Sequence, residues 1–226
     1  MSVAKNLCLF DLDHTLIPLD SDHAWGEFMI RRGWVDEIEF RRCNDAFYAD
    51  YQAGRLDIHA YVQFTTAPVC ARGAVESAAA HADFMREVIL PQIHDAARAL
   101  VRKHQEQGDT VALVTATNDF VTRPIAEAFG IADLIAVRLA TGDGGTITGR
   151  IDGVPSYREG KVTRVEEWLA GKGAHWGDFE RISVYSDSAN DLPLMERATD
   201  PVATNPSPEL EAIARQRGWR ILNLFT

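Results

Sequence analysis

The sequence predicts an α/β protein, a doubly wound and mostly parallel sheet interrupted near its start by an inserted all-helical cap. Short apolar runs alternate with helical stretches beyond about residue 90, an order that builds a parallel sheet with helices on both faces. The run Leu7-Cys8-Leu9-Phe10 is continuous rather than alternating, as a strand buried on both faces requires. Between about Asp22 and Glu87 the pattern is helical and offers no strand.

The first strand leads straight into Asp11 and Asp13. Strand side chains alternate with period two, so both carboxylates share one side if the extended geometry holds for two more residues. Like charges that close call for a hard metal ion, acid–base work or both; the plainer alternative is a solvated Asp-rich loop. In the helical block, Phe40, Cys43, Phe47 and Tyr51 mark one packing face. Gly33, Gly54 and the Ala67-Pro68 step divide the block into helices. Pro91 opens a further helix whose stripe is Ile93, Ala96, Ala97, Leu100 and Val101.

Beyond that helix come a strand at 110–114, a helix at 118–129 and a strand at 135–139. The glycine-rich TGDGGTITGRIDG lacks the Lys-Ser/Thr of a phosphate-binding P-loop and reads as a hairpin. A helix at 160–170, a strand at 182–185, a helix at 192–197, a short strand at Val202-Ala203, a helix at 208–216 and a last apolar segment at 220–225 complete the pattern. The predicted division is a Rossmann-like core of residues 1–17 and 89–226 with a cap of residues 18–88.

A chain of 226 residues with a formal charge of -10 suits one large domain or one domain with an insert, and disfavours nucleic acid or an anionic membrane as main partner. Cys8, Cys43 and Cys70 follow no C-x-x-C spacing and read as reduced thiols. No stretch approaches a membrane span and no signal peptide is evident, so a cytoplasmic location is expected. The acidity does not exclude a small anionic partner, because a local metal and lysine can reverse the field inside a cleft, and a homodimer is compatible with the reading.

Ligands of doubly wound sheets bind outside the carboxyl ends of the strands. There the sequence offers Asp11, Thr115, Ser186 and Asp187, with Asn190 and Asp191 close behind in YSDSANDLPLM. Asp11, Asp13, Asp187 and Asp191 together make an oxygen-rich, negative pocket suited to Mg²⁺; the histidines show no zinc spacing.

This constellation resembles the haloacid dehalogenase-like hydrolases: D-x-D-x-T at Asp11, Asp13 and Thr15, a strand-end Thr115, Lys161 in EGKVTRV, and Asp187 with Asn190 and Asp191. The resemblance covers essentially the whole chain. It implies Asp11 as a nucleophile forming an aspartyl-phosphate, Asp13 as general acid and base, and Thr115 and Lys161 on the phosphoryl oxygens. It also implies Mg²⁺ held by Asp11, the Asp13 carbonyl and Asp187, with support from Asp191, and a small phosphorylated metabolite as partner. Thr15, Ala116 and Asn190 join the substrate-contacting set. A phosphotransferase or mutase would use the same nucleophile, and a non-catalytic binding module would be expected to lack Asp11 or Asp13.

The insert resembles the cap of the phosphoserine-phosphatase-like branch, but the place of its substrate-recognising Glu holds Asp20, and that of its carboxylate-binding Arg falls near Gln63. Without a guanidinium clamp a substrate carboxylate loses a bidentate partner, unless Arg55 or Arg72 takes over. The stretch DSDHAWGEF resembles a subgroup that includes histidinol-phosphatases, which implies a cationic substrate facing Asp20 and Asp22. Asp22 is alternatively the N-cap of the first cap helix, with Trp25 and Phe28 its buried face. His23 and His59 read as ordinary polar residues of the cap.

Overall fold

A computed structural model describes residues 6–225; residues 1–5 and 226 of the predicted core segments lie outside the described residues. The strands are β1 (Asn6–Phe10), β2 (Thr110–Asn118), β3 (Asp133–Val137), β4 (Leu139–Thr141), β5 (Ile147–Ile151), β6 (Arg181–Ser186), β7 (Asp200–Thr204) and β8 (Arg220–Leu222). The helices are α1 (Ser21–Arg31), α2 (Glu37–Gln52), α3 (Ile58–Arg72), α4 (Ala74–Phe84), α5 (Asp95–Glu106), α6 (Asp119–Ala128), α7 (Glu159–Gly171), α8 (Leu192–Met195) and α9 (Pro208–Arg217).

Six strands form one sheet in the order β3-β2-β1-β6-β7-β8, and each neighbouring pair is parallel. The chain winds outward from β1 in one direction through β2 and β3, and in the other through β6, β7 and β8. The crevice between β1 and β6 is therefore the topological switch point, where such sheets bind ligands.

Period two sorts the central strands into two cores. Cys8, Phe10, Leu113 and Tyr185 pack with Trp25, Phe28, Phe84, Val101 and Val121. Leu7, Leu9, Ala112, Val114 and Val184 pack with Val165, Leu169, Met195 and Leu210. Helices α1 and α4 of the insert thus lie directly on the sheet side. Leu56, Ile58 and Val62 instead form a third cluster with Val137 and Leu139 near the β4–β5 hairpin, and Phe47 and Tyr51 of α2 pack against it.

The expected hairpin is present as an antiparallel β4–β5 pair. Four local expectations need correction. Pro68 does not end a helix: α3 runs through it to Arg72 and stops at Gly73, whose φ is 78°. The single ladder bond a proline removes is outweighed by burial of Val62, Thr65, Thr66 and Val69 around it. Pro91 sits in a 3-10 turn, and α5 begins only at Asp95 because Ile93 is extended. Strand β2 runs on to Asn118 rather than stopping at Val114. The strand expected at 135–139 is divided between β3 and β4, which belong to different sheets.

Candidate active site

Pairing of β1 with β6 extends to Asp11, whose N–H donates to the Tyr185 carbonyl at 2.9 Å. The chain then folds back on itself: Thr15, Leu16 and Ile17 N–H groups all point to the Leu12 carbonyl, and His14 takes a φ of 55°. Asn205 holds this loop by donating to the carbonyls of His14 and Thr15 at 2.9 and 3.1 Å. Asp11 and Asp13 consequently line the same cavity, but with separate partners.

Asp11 belongs to a buried ion triad. Lys161 Nζ, from the first turn of α7, lies 2.8 Å from Asp11 Oδ1 and 2.7 Å from Asp191. Ser186, the last residue of β6, donates its hydroxyl to Asp191 at 2.7 Å. Burial alone would lower the Lys161 ammonium, yet Asp11 and Asp191 outweigh it and raise its pKa. Thr15 Oγ1 lies 3.2 Å from Asp11 Oδ2 and 3.1 Å from Asp187 Oδ1, and accepts the Asp187 N–H at 3.1 Å. It ties the ends of β1 and β6 together.

Asp13 faces the other way. Ser21 N–H donates to its Oδ1 at 2.7 Å and Thr117 Oγ1 to its Oδ2 at 2.8 Å. Thr115, one strand repeat before Thr117, accepts the Thr117 N–H through its side chain. Sequence reasoning missed Thr117 and Ser21. The signal for Thr117 is its period-two spacing from Thr115, which applies only because the strand continues past Val114.

Asp20 and Asp22 extend the acidic wall. The N-cap of α1 is Asp20, which accepts the His23 N–H at 2.8 Å, so the capping role considered for Asp22 belongs to Asp20. Asp22 is the second residue of the helix, within its first turn, and is 2% exposed. Its Oδ1 accepts from Asn118 Nδ2 at 3.3 Å, whereas its Oδ2 is buried with no hydrogen-bond partner. Trp25 and Phe28 are the buried face, as expected. His23 turns outward to Asp45 at 3.0 Å, and His59 is exposed.

The inner cavity, about 30 Å³, is lined by Asp11, Asp13, Asp20 and Asp22, by Thr115, Ala116 and Thr117, and by apolar and aromatic cap residues that include Tyr48, Tyr51 and Tyr61. That space admits about two waters at the ~10–15 Å³ each requires. An outer cleft of about 640 Å³ lies beyond Tyr48 and Tyr51, with His14, Asp187, Asn190 and Arg158 on its walls. Among the described residues no Arg, Lys or His lines the inner cavity. Arg55 pairs with Asp50, Arg72 pairs with Glu76, and Gln63 is exposed. None of the three replaces the missing clamp.

Burial pushes Asp11 up to about 7, opposed by Lys161 and reinforced by Asp191 and Asp13. Burial also pushes Asp13 up to about 6, with Asp20 adding repulsion and the Ser21 and Thr117 bonds opposing it. Asp187 is raised well above the usual carboxylate range by burial and by Asp11 and Asp191, and Asp22 by burial and by Asp20 and Asp13.

Lys161 is shared between Asp11 and Asp191, and the raised Asp13, Asp187 and Asp22 have no cationic partner of their own, which is the condition a hard cation relieves. Among the described residues no three His, Cys, Asp or Glu side chains gather as one metal cluster, and Asp191 is engaged by Lys161 and Ser186. Asp11 and Asp187, bridged by Thr15, remain a two-carboxylate oxygen site. That donor set fits Mg²⁺, which binds through one or two carboxylates and keeps waters for a phosphate to displace.

Residues 8–196 match the haloacid dehalogenase-like hydrolase family. A histidinol-phosphatase of Neisseria meningitidis is 45% identical over 219 residues, covering 97% of this chain and 99% of that protein. A crystal structure of a Bordetella pertussis protein of unknown function superposes with a TM-score of 0.93 at 50% identity, covering 99% and 100% of the two chains. A substrate-bound phosphoserine phosphatase superposes with a TM-score of 0.66 at 19% identity, covering 96% and 92%, a likeness of fold. No helix among the described residues is long and apolar enough to cross a membrane.

Proposed function

The chain belongs to the haloacid dehalogenase-like hydrolases, and from that premise we propose that it is a Mg²⁺-dependent phosphatase of small phosphomonoesters, with histidinol phosphate as substrate. The observation that carries the reading is the pair of carboxylates on one cavity with opposite settings. Asp11 is held against an ammonium, and Asp13 is held by neutral donors.

Asp11 is suited to attack phosphorus and form an aspartyl-phosphate: burial raises its pKa to about 7, and the Lys161 ammonium together with a bound Mg²⁺ would draw it into the ionised form. Asp13, with its pKa near 6, holds a proton often enough near neutrality to donate it to the leaving alkoxide. It then serves as base for the water that hydrolyses the intermediate. Thr115 of β2 and Lys161 would bind the phosphoryl oxygens as charge builds. Mg²⁺ on Asp11, Asp187 and the Asp13 carbonyl would neutralise the crowded carboxylates and the phosphate charge.

The acidic wall supports the substrate assignment. Histidinol phosphate carries an amine and an imidazole and no carboxylate, so it needs no guanidinium clamp. Asp20 and Asp22 supply carboxyl oxygens that a bound cation would draw into the ionised form against burial, and Tyr48 and Tyr61 line the same cavity. The 45% identity to a histidinol-phosphatase supports the same choice.

The test is phosphate release with Mg²⁺ and with EDTA on p-nitrophenyl phosphate, histidinol phosphate and phosphoserine. The expected result is metal-dependent turnover with histidinol phosphate preferred about tenfold or more, worth about 1.4 kcal/mol. A preference for phosphoserine would overturn the substrate assignment, and turnover unaffected by EDTA would overturn the metal assignment.

A further inference from the structure

Two side chains of the core hold the cap by its backbone, and each stands beside a residue that fixes Lys161. Arg158 Nη1 donates to the Gly54 carbonyl at 2.5 Å, and Asn190 Nδ2 donates to the Tyr51 carbonyl at 3.0 Å. The Arg158 carbonyl also accepts the Lys161 N–H at 3.0 Å, in the first turn of α7. Asn190 directly precedes Asp191, which holds Lys161 Nζ.

The backbone at these contacts is specialised. Arg158 has φ 51° and ψ -122°, a conformation that strains a residue with a β-carbon. Glycine would adopt it without that penalty. Gly54 has φ 67°, and a Cβ there would lie 3.3 Å from Asn190 Oδ1 and 3.5 Å from Arg158 Nη1. The turn therefore needs a glycine to seat between both core side chains. Tyr48 and Tyr51 line both the inner cavity and the outer cleft, so movement of this turn would change the passage between them.

We propose that Arg158, with Asn190, is a positioning residue that latches the cap turn Tyr51–Gly54 and couples its closure to the placement of Lys161 between Asp11 and Asp191. This rests on the reading of Lys161 as the phosphoryl-binding cation. When the turn leaves, the start of α7 and the 188–191 loop both lose their ties to the cap, which frees the two segments that carry Lys161 and its partner Asp191. When it returns, the lysine is set and the site is shut against water. The competent state is thus a fraction of the population, and loss of the latch lowers that fraction.

Arg158→Gly separates this role from a structural one, because it removes the latch while relieving the strained backbone. Arg158→Ala removes the latch and keeps the strain. The measurements are thermal unfolding, hydrogen exchange of the 51–56 amides, and steady-state kinetics on p-nitrophenyl phosphate and histidinol phosphate. In Arg158→Gly we expect a melting temperature equal to or above wild type, 51–56 amides exchanging about tenfold faster, and KM raised about tenfold with kcat within about threefold. Arg158→Lys, which keeps one donor, should recover part of the KM. Unchanged exchange and KM in both the glycine and alanine variants would overturn the latch. A wild-type protein that hydrolyses neither ester would overturn the proposed function instead, and the exchange rates alone would then decide the latch, faster exchange supporting it and unchanged exchange overturning it.

Discussion

The two flanks of the inner cavity are built from the same residue type and differ in what stands behind it. On one flank, Asp11 and Asp191 close on Lys161 at 2.8 and 2.7 Å. On the other, Asp13, Asp20 and Asp22 face one another with backbone amides, Thr117 and Asn118 as partners, and no cationic side chain lines the cavity there. The first flank can host chemistry that needs an ionised oxygen beside a phosphate. The second is a wall of carboxyl groups without a cation, where Asp22 Oδ2 makes no close hydrogen bond and the Tyr61 hydroxyl is a further polar neighbour of Asp22. Position relative to Lys161 separates the proposed nucleophile from the proposed selectivity wall.

The comparison breaks most severely at Asp11. Asp11→Asn should lower turnover by about a thousandfold or more, the scale of losing a covalent nucleophile, measured as phosphate release from p-nitrophenyl phosphate. Retained wild-type turnover would exclude a covalent role.

Asp13→Asn comes next. A loss of about a hundredfold to ten-thousandfold is expected on histidinol phosphate, whose alkoxide must be protonated. The loss on p-nitrophenyl phosphate should be smaller, because nitrophenolate leaves without a proton. Equal losses on both esters would remove the acid role from Asp13.

Smaller again is the effect of Asp22→Asn, which should lower the kcat/KM ratio of histidinol phosphate to p-nitrophenyl phosphate by about tenfold. An unchanged ratio would leave the acidic wall without a part in selection.

The same variant sharpens the contrast through stability. The folded pKa of Asp22 is raised, so above the unfolded value near 4 the folded chain holds a proton that the unfolded chain has released. Stability is therefore fully present below about pH 4 and declines as pH rises toward the folded pKa. Asp22→Asn lacks that decline, so its melting temperature should gain on wild type between about pH 4 and 7. A constant difference across that range would count against an uncompensated carboxylate.

Much of this site was legible because each motif residue follows an apolar run that could be recognised as a strand. Asp11 ends the Leu7–Phe10 run, Asp187 follows the 182–185 run, and Thr115 follows the 110–114 run, and parallel pairing brings those ends level. Thr117 and Asn118 were hidden because Thr-Ala-Thr-Asn has no apolar signal. Those polar residues are stable in β2 only through partners on other elements, Asp13 and Asp22. The choice of Asp20 over Asp22 as the α1 cap was hidden for a related reason. Both suit the role chemically, and the start of the helix is decided by where Ser21 N–H finds Asp13.

The sequence by itself determined the alternation of strand and helix, the place of the helical insert and the acidic character of the site, because hydrophobic period and residue type are local properties. Only the tertiary structure decided which carboxylate receives Lys161, which is left unpartnered, and which core side chains hold the cap. Those depend on separations as small as 2.7 Å between residues up to 150 positions apart, and a charge or hydrogen bond takes its meaning from the groups that folding brings within reach.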